Sequence, residues 1–204
     1  MPQDTYKTIE KKYGPYQFKD RKSKFISYAF PVQSTEEVKK HLEALKKEHH
    51  SARHWCYAYR MGIEKIEERA NDDGEPSNSA GMPILNQIKA KDLTNTLVVV
   101  VRYFGGVKLG VGGLINAYKT AAQMLLDEVE IVEKILTKNL ILKFGYEDMN
   151  KVMRIIKEHN LEIGEQKLEA KATYVLPVRL DDYERIKNLF EKIYTIEVKS
   201  DDDE

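Results

Sequence analysis

The stretch that decides the fold covers residues 97–114 and reads LVVVVRYFGGVKLGVGGL. It begins with a continuous apolar run, which predicts a central strand that is buried on both faces. Five of the chain's 11 glycines follow between Gly105 and Gly113, and a helical pattern begins at Leu114. The order of elements is therefore a strand, a glycine loop (residues 105–113) and a helix.

The glycine loop has two interpretations. Glycine permits positive φ and close approach of another chain, and a loop at a helix start collects unpaired N–H groups and the positive end of the helix dipole. Such a loop suits a phosphate. The candidate residues for phosphate or nucleic-acid contact are Arg102, Tyr103, Gly105, Gly106, Lys108, Gly110, Gly112 and Gly113. The alternative is a tight strand-to-helix connection that needs glycine only for packing. The spacing matches neither the Walker motif nor the dinucleotide fingerprint.

The segments before this stretch predict strands followed by a helix. Residues 6–33 are rich in strand formers. Ser34, followed three residues later by Glu37, forms a capping-box pattern at the start of a helix. His49 and His50 follow this helix among lysines and glutamates, and both are expected to be exposed.

The remaining residues predict a second, smaller domain. From near Thr137 the apolar spacing follows the order βαββαβ, which is the ferredoxin-like pattern. That order predicts an antiparallel sheet with both helices on one face. The predicted fold class is therefore α+β, with a first domain over residues 1–135 and a ferredoxin-like domain over residues 136–204.

A polar loop over residues 71–81 is the second candidate site. It places three carboxylates close together, and such a set can hold a hard cation, orient a basic side chain or cap a helix. The spacing does not fit an EF-hand, and no metal ion or other cofactor is predicted. The candidate residues are His54, Asp72, Asp73, Glu75 and Ser77. They support an alternative function, a hydrolase with a cleft beside the glycine loop.

Cys56 is the chain's one cysteine. A single cysteine excludes an intrachain disulfide and a four-cysteine zinc site, and it indicates a reducing compartment. On a strand, Cys56 and His54 would stand side by side rather than face each other. Cys56 is therefore expected to fill the core rather than to act as a nucleophile.

The composition gives no bulk attraction to a polyanion. The chain has 33 Lys+Arg and 33 Asp+Glu, so its formal net charge is +0 and any basic surface must be local. The acidic residues 201–204 are expected to be a solvated end. The longest strongly apolar run, residues 97–101, is far shorter than the roughly 20 residues of a membrane helix. A cytoplasmic protein without membrane contact is expected.

Four strings of rare sequence, in this order and spacing, resemble the IMPACT/YigZ family. They are ARHWCYAYR at residues 52–60, DDGEPS and AGMPIL within residues 72–85, and RYFGGVKLGVGGL at residues 102–114. The resemblance covers about residues 15–128. The C-terminal part is similar to the smaller domain that bacterial members carry after this one.

This resemblance implies that the N-terminal domain is an α/β sandwich like the second domain of a small-subunit ribosomal protein, and that a ferredoxin-like domain follows it. Eukaryotic relatives are linked to translational control and bind partner proteins. The expected function is therefore a protein that binds RNA or the ribosome, or translation-factor proteins, and modulates translation. An enzyme is the less favoured interpretation. A protein-interaction module without a ligand of its own is a third.

Overall fold

The computed structural model describes residues 4–63 and 65–200. Tertiary contacts divide these residues into two units, one over residues 6–134 and one over residues 135–200 with residues 4 and 5. The acidic residues 201–204 lie outside the described residues, so their solvation stays a prediction. None of the described helices combines the length and the apolar character needed to cross a membrane.

The described chain alternates strands and helices, which are numbered here in chain order. The strands are β1 (Thr5–Thr8), β2 (Tyr13–Asp20), β3 (Ser23–Pro31), β4 (His54–Met61), β5 (Glu67–Asn71), β6 (Thr96–Tyr103), β7 (Val132–Ile135), β8 (Thr137–Phe144), β9 (Glu165–Leu168), β10 (Ala172–Arg179) and β11 (Glu197–Ser200). The helices are α1 (Thr35–Glu48), α2 (Gly81–Ala90), α3 (Gly110–Asp127), α4 (Met149–Glu158) and α5 (Tyr183–Glu191).

Strand β6 is the centre of the first unit, as the apolar run predicts. It lies third in a five-stranded sheet of order β2-β3-β6-β4-β5, in which every neighbouring pair is antiparallel. Val100 pairs with Ser27 on one side and with Cys56 on the other. All residues of β6 are buried except Tyr103, which is half-buried. The sheet therefore fixes where the strand ends and the glycine loop begins.

Helices cover both faces of this sheet, which confirms the predicted α/β sandwich. Successive strand side chains point to opposite faces, so Val98 and Val100 of β6 pack into a core with α2 and α3. Leu97, Val99 and Val101 pack into a second core, where α1 contributes Leu45. The continuous apolar run in β6 is explained by this two-sided burial rather than by parallel pairing.

Helix α1 begins where the sequence predicts. Ser34 is its N-cap, and the Ser34 side-chain oxygen accepts a hydrogen bond from the Glu37 amide at 3.3 Å. Glu37 Oε2 in turn accepts from the Gln33 amide at 2.8 Å. This return bond reaches one residue before the N-cap, whereas in an ideal capping box it ends on the N-cap amide itself.

The expectation of an exposed His49 is wrong. His49 is buried, with Nε2 at 2.7 Å from the Tyr28 hydroxyl and Nδ1 at 2.9 Å from the Tyr103 hydroxyl. Tyr28 donates its own proton to Glu48 at 3.1 Å, so a neutral His49 that donates from Nε2 and accepts at Nδ1 satisfies the whole cluster. Burial lowers the pKa of His49. The two tyrosines come from distant strands, so the helix sequence alone did not reveal this environment.

The second unit has the predicted ferredoxin-like topology. Its sheet has the order β11-β8-β10-β9, and every neighbouring pair is antiparallel. Ile156 of α4 and Phe190 of α5 share one buried core with β8 and β10, which places both helices on the same face. The alternation of Tyr194, Ile196 and Val198 predicts a last strand from Tyr194, but β11 begins only at Glu197, and Tyr194 is 96% exposed.

Candidate functional site

The glycine loop leaves β6 through Phe104 and enters α3 at Gly110. Gly106 has φ of +86° and Gly110 has φ of +74°, a region that side-chain-bearing residues rarely adopt. A methyl group added at either position would meet no atom within 4 Å. These two glycines therefore serve the turn of the backbone and leave its surface open.

Gly105 has a different role from its neighbours. A methyl group at Gly105 would overlap the backbone of Lys22, and the Gly105 amide donates to Ser23 Oγ at 3.2 Å. Gly112 resembles Gly106, with open space at its Cβ position, whereas a methyl group added at Gly113 would lie 3.1 Å from Leu109 Cβ. Both interpretations of the loop thus hold at different residues: close packing at Gly105, and an open backbone at Gly106, Gly110 and Gly112.

The open part of the loop presents backbone donors. Helix α3 begins after Leu109 with no side-chain cap on its first turn. Among the described residues, no side chain or carbonyl accepts a hydrogen bond from the amides of residues 106–109. These amides directly precede α3, whose N-terminus carries the positive end of the helix dipole, so this surface favours an anion.

Two cations of this region stand in different environments. Lys108 is exposed, and no described carboxylate forms an ion pair with it. The Arg102 side chain is only 6% exposed, and its Nη1 lies 2.5 Å from Oε1 of Glu75, itself 5% exposed. The Arg102 guanidinium also lies over the rings of Phe25 and Phe104, at 5.6 and 5.5 Å from their centroids. The charge of Arg102 is therefore balanced inside the protein.

Arg53 is a third cation, which the sequence reasoning did not single out. It is exposed, directly precedes β4, and makes no ion pair with a described residue. Its amide donates to the Arg102 carbonyl at 3.5 Å, so the pairing of β4 with β6 brings it to the end of β6. The signal that points to it is its position beside His54 in the string ARHWCYAYR.

These residues surround a surface pocket of about 410 Å³, here called the loop pocket. Its wall is mostly apolar. The lining residues are Arg53, His54, Glu75, Pro76, Arg102, Phe104, Lys108, Leu109, Gly110, Val111 and Leu114. Three cations face one carboxylate in this set, so the pocket has a local positive charge on a chain that is neutral overall.

Tyr103 and Ser77 are predicted site residues that do not line the loop pocket. Tyr103 packs against the core on the α1 side of the sheet, where its hydroxyl contacts His49. Ser77 is exposed on the polar loop and is not part of the loop pocket. The structure therefore does not bring either side chain to the open glycines.

The carboxylates of the polar loop are engaged in structural contacts. Asp72 accepts hydrogen bonds from the amides of Asn78, Ala80 and Gly81 at 2.8, 3.0 and 2.8 Å, and so holds the start of α2. Asp73 Oδ2 accepts from the Trp55 amide at 2.7 Å. Over the described residues, no cluster of three or more acidic, histidine or cysteine side chains has a geometry that would hold a metal ion.

His54 and Cys56 do not form a nucleophile–base pair. His54 Nδ1 lies 2.8 Å from the Asp73 carbonyl, to which it donates. Cys56 donates to the Asp72 carbonyl at 3.0 Å and lies 3.3 Å from the Tyr118 hydroxyl. Cys56 is fully buried, and burial raises the pKa of its thiol. The side chains that the hydrolase alternative would use are therefore engaged in helix capping, an ion pair and other structural hydrogen bonds.

Comparison with known proteins gives matches over most of the chain. A family model described as the Impact N-terminal domain matches residues 21–126. IMPACT family member YvyE of Bacillus subtilis is 36% identical over 161 residues, which are 79% of this chain and 74% of that protein. IMPACT family member YigZ of Escherichia coli is 31% identical over 138 residues, 67% and 68% of the two chains. Protein IMPACT of Rattus norvegicus is 38% identical over 96 residues, 45% of this chain and 30% of that protein.

Solved structures agree with the fold. A crystal structure of a hypothetical protein covers 99% of this chain and 100% of its own, with a TM-score of 0.70 and 22% identity. At that identity the likeness supports the α+β fold alone. A structure of the two-domain translational regulator Yih1 covers 59% of this chain and 48% of its own, at 28% identity and a TM-score of 0.41, which is too low to carry an inference.

Proposed function

We propose, from the premise that this chain belongs to the IMPACT family, that it binds RNA or the ribosome in the cytoplasm and thereby modulates translation. The proposed contact surface consists of the open glycines Gly106, Gly110 and Gly112, together with Lys108 and Arg53. Translation-factor proteins are the further partners that the family resemblance implies.

The observation that carries this proposal is a helix start without a side-chain cap, next to amides and two cations that have no partner among the described residues. Backbone amides and Lys or Arg side chains are the groups that most often contact phosphate in nucleic-acid complexes. The chain has no net charge, so any attraction to RNA must come from a local basic surface such as this one. Binding should therefore be weak and should fall steeply as salt is added.

Lys108→Ala and Arg53→Ala test the surface. Fluorescence anisotropy with a labelled single-stranded RNA would be recorded between about 50 and 200 mM salt. Each variant should weaken binding at low salt and reduce the slope of log affinity against log salt by about 0.7, the share of one phosphate contact on a single strand. Lys39→Ala is the matched control, because Lys39 is an exposed lysine on α1, the helix that packs on the other face of the sheet.

Unchanged affinity and unchanged salt slope in both variants would contradict the proposal. Arg102→Ala is not a useful test. Removing Arg102 would leave the Glu75 carboxylate buried without its counter-charge, so loss of binding would report loss of structure. Co-sedimentation of the wild type and the two variants with ribosomal particles would then separate ribosome binding from binding to free RNA.

A further inference from the structure

We infer, on the basis of the proposed function, that the loop pocket holds a single unpaired nucleotide, with its base against Phe104 and its phosphate at Lys108 and the glycine amides. This inference narrows the ligand from RNA in general to an unstacked nucleotide. The pocket volume of about 410 Å³ falls in the range of about 300–1,000 Å³ that small-molecule sites occupy.

Phe104 is the residue that points to a base. Its side chain is an exposed aromatic, with 46% of the residue's surface accessible, although it directly follows a buried strand. The Arg102 guanidinium lies over the Phe104 ring at 5.5 Å from its centroid. This contact holds the ring beside the pocket and leaves aromatic surface for stacking. Aromatic side chains that stack on bases are the common device of single-strand recognition.

The phosphate end of the pocket is built from a different kind of group. Lys108 and Gly110 line the same pocket as Phe104, and the amides of residues 106–109 have no acceptor among the described residues. Arg53 adds a second unpaired cation to the lining. An apolar wall with an aromatic ring and a cationic, amide-rich end matches the two ends of one nucleotide.

Buried polar atoms in the pocket wall have unused hydrogen-bonding capacity. The hydrogen bonds from Arg102 and Tyr118 to Glu75 both end on Oε1, so Oε2 remains available as an acceptor. Arg102 Nε is buried and has no partner among the described residues. A buried carboxylate with a free oxygen is suited to accept from the N–H groups on the edge of a base.

These contacts require a base that is neither paired nor stacked. In a duplex both faces of a base are covered by its neighbours, so Phe104 cannot reach them, whereas loops and single strands can present an unstacked base. The same pocket would admit a nucleotide of an RNA strand or a free nucleoside monophosphate. A protein partner on this surface would use the exposed apolar side chains without a preference for either.

Phe104→Leu tests the inference, because leucine keeps the apolar bulk and removes the ring. Tyr194→Leu is the matched control, since Tyr194 is a 96% exposed aromatic of the second unit. Affinities for a single-stranded RNA and for a fully paired duplex of the same sequence would be measured by anisotropy. Wild-type protein should prefer the single strand, and Phe104→Leu should weaken that binding at least about fivefold, the low end of one stacked base.

A second measurement separates this inference from the proposed function. Each of the four nucleoside monophosphates would be titrated into ¹⁵N-labelled protein, and shifts in the amides of Gly106 and Gly110 would support a nucleotide pocket even if no RNA is bound. RNA binding that depends on Lys108 but not on Phe104, or that is equal for duplex and single strand, would overturn the inference and leave the proposed function standing. Absence of binding to nucleotides, to RNA and to ribosomal particles would overturn both.

Discussion

Glu75→Gln should destabilise the first unit by about 3–5 kcal/mol. The Arg102–Glu75 pair is almost fully buried, and an arginine cannot release its proton to escape the loss of its counter-charge. Two unit charges about 4 Å apart attract by about 4 kcal/mol at an effective dielectric of 20. Glutamine keeps the size of glutamate and can still accept from Tyr118, so the loss reports the charge rather than a cavity.

Urea unfolding followed by tryptophan fluorescence measures this loss in the relevant unit. Trp55 is the only tryptophan of the chain and lies on β4, where its amide donates to Asp73 of the polar loop. Glu130→Gln is the matched control, because Glu130 pairs with Lys11 at the surface, where the two side chains are 72% and 65% exposed. An exposed pair of this kind contributes at most about 1 kcal/mol.

The two glutamine variants together show how strongly the first unit depends on its buried ion pair. If Glu75→Gln lowers the free energy of unfolding by no more than Glu130→Gln does, loss of the Arg102 counter-charge does not destabilise the first unit. If Glu75→Gln is strongly destabilising and adding Arg102→Met to it restores most of the lost free energy of unfolding, the loss comes from the unpaired Arg102 charge. This is the result expected for a buried ion pair.

Gly112→Ala should raise the free energy of unfolding by about 0.5 kcal/mol, because the added methyl group meets nothing within 4 Å and alanine favours helix. Gly105→Ala should lower the free energy of unfolding in the same urea titration, because its methyl group would overlap the Lys22 backbone. The opposite order would contradict the open position of Gly112 and the close packing of Gly105. Cys56 should react with a thiol reagent such as DTNB only as fast as the unit unfolds, because it is buried and its pKa is raised, so immediate labelling of folded protein would refute this. Stability should fall as the pH drops below about 6.5, because burial lowers the pKa of His49 in the folded state and the unfolded chain binds more protons. That pH dependence, measured by urea unfolding, should be smaller in His49→Gln, and equal dependence in both proteins would count against it. Phe190→Ala should lower the stability of the second unit by about 3–5 kcal/mol and leave the Trp55 transition unchanged if the predicted domains fold separately; a shift of that transition would argue against two domains.

Much of the fold was predictable from the sequence because periodicity records which residues are buried. The run in β6 and the stripe of α3, with Tyr118 at its centre, become buried as predicted. Boundaries were less accurate where pairing rather than composition sets them. The apolar pattern predicts a strand that starts at Leu161. Strand β9 starts at Glu165 instead, because Glu165 is its first residue that pairs with β10.

The sequence predicted the segments that form the candidate site but not the contacts between their side chains. The glycine loop and the polar loop were both recognised, but the pairing of Arg102 with Glu75 joins residues 27 positions apart, which spacing does not encode. Both look like free charges in a linear sequence. Arg53 stands beside the predicted site residue His54 in the sequence, but the antiparallel pairing of β4 with β6 is what places it at the pocket.

Strand β6 supplies the pocket and both cores of the first unit from one short segment. Val100 and Val101 lie on opposite faces of the sheet, and Arg102 and Phe104 follow them directly. Two residues of the loop pocket are therefore joined directly to the buried backbone of β6. Heat or denaturant should abolish recognition and structure in one common transition, without an intermediate that keeps the scaffold but loses the pocket.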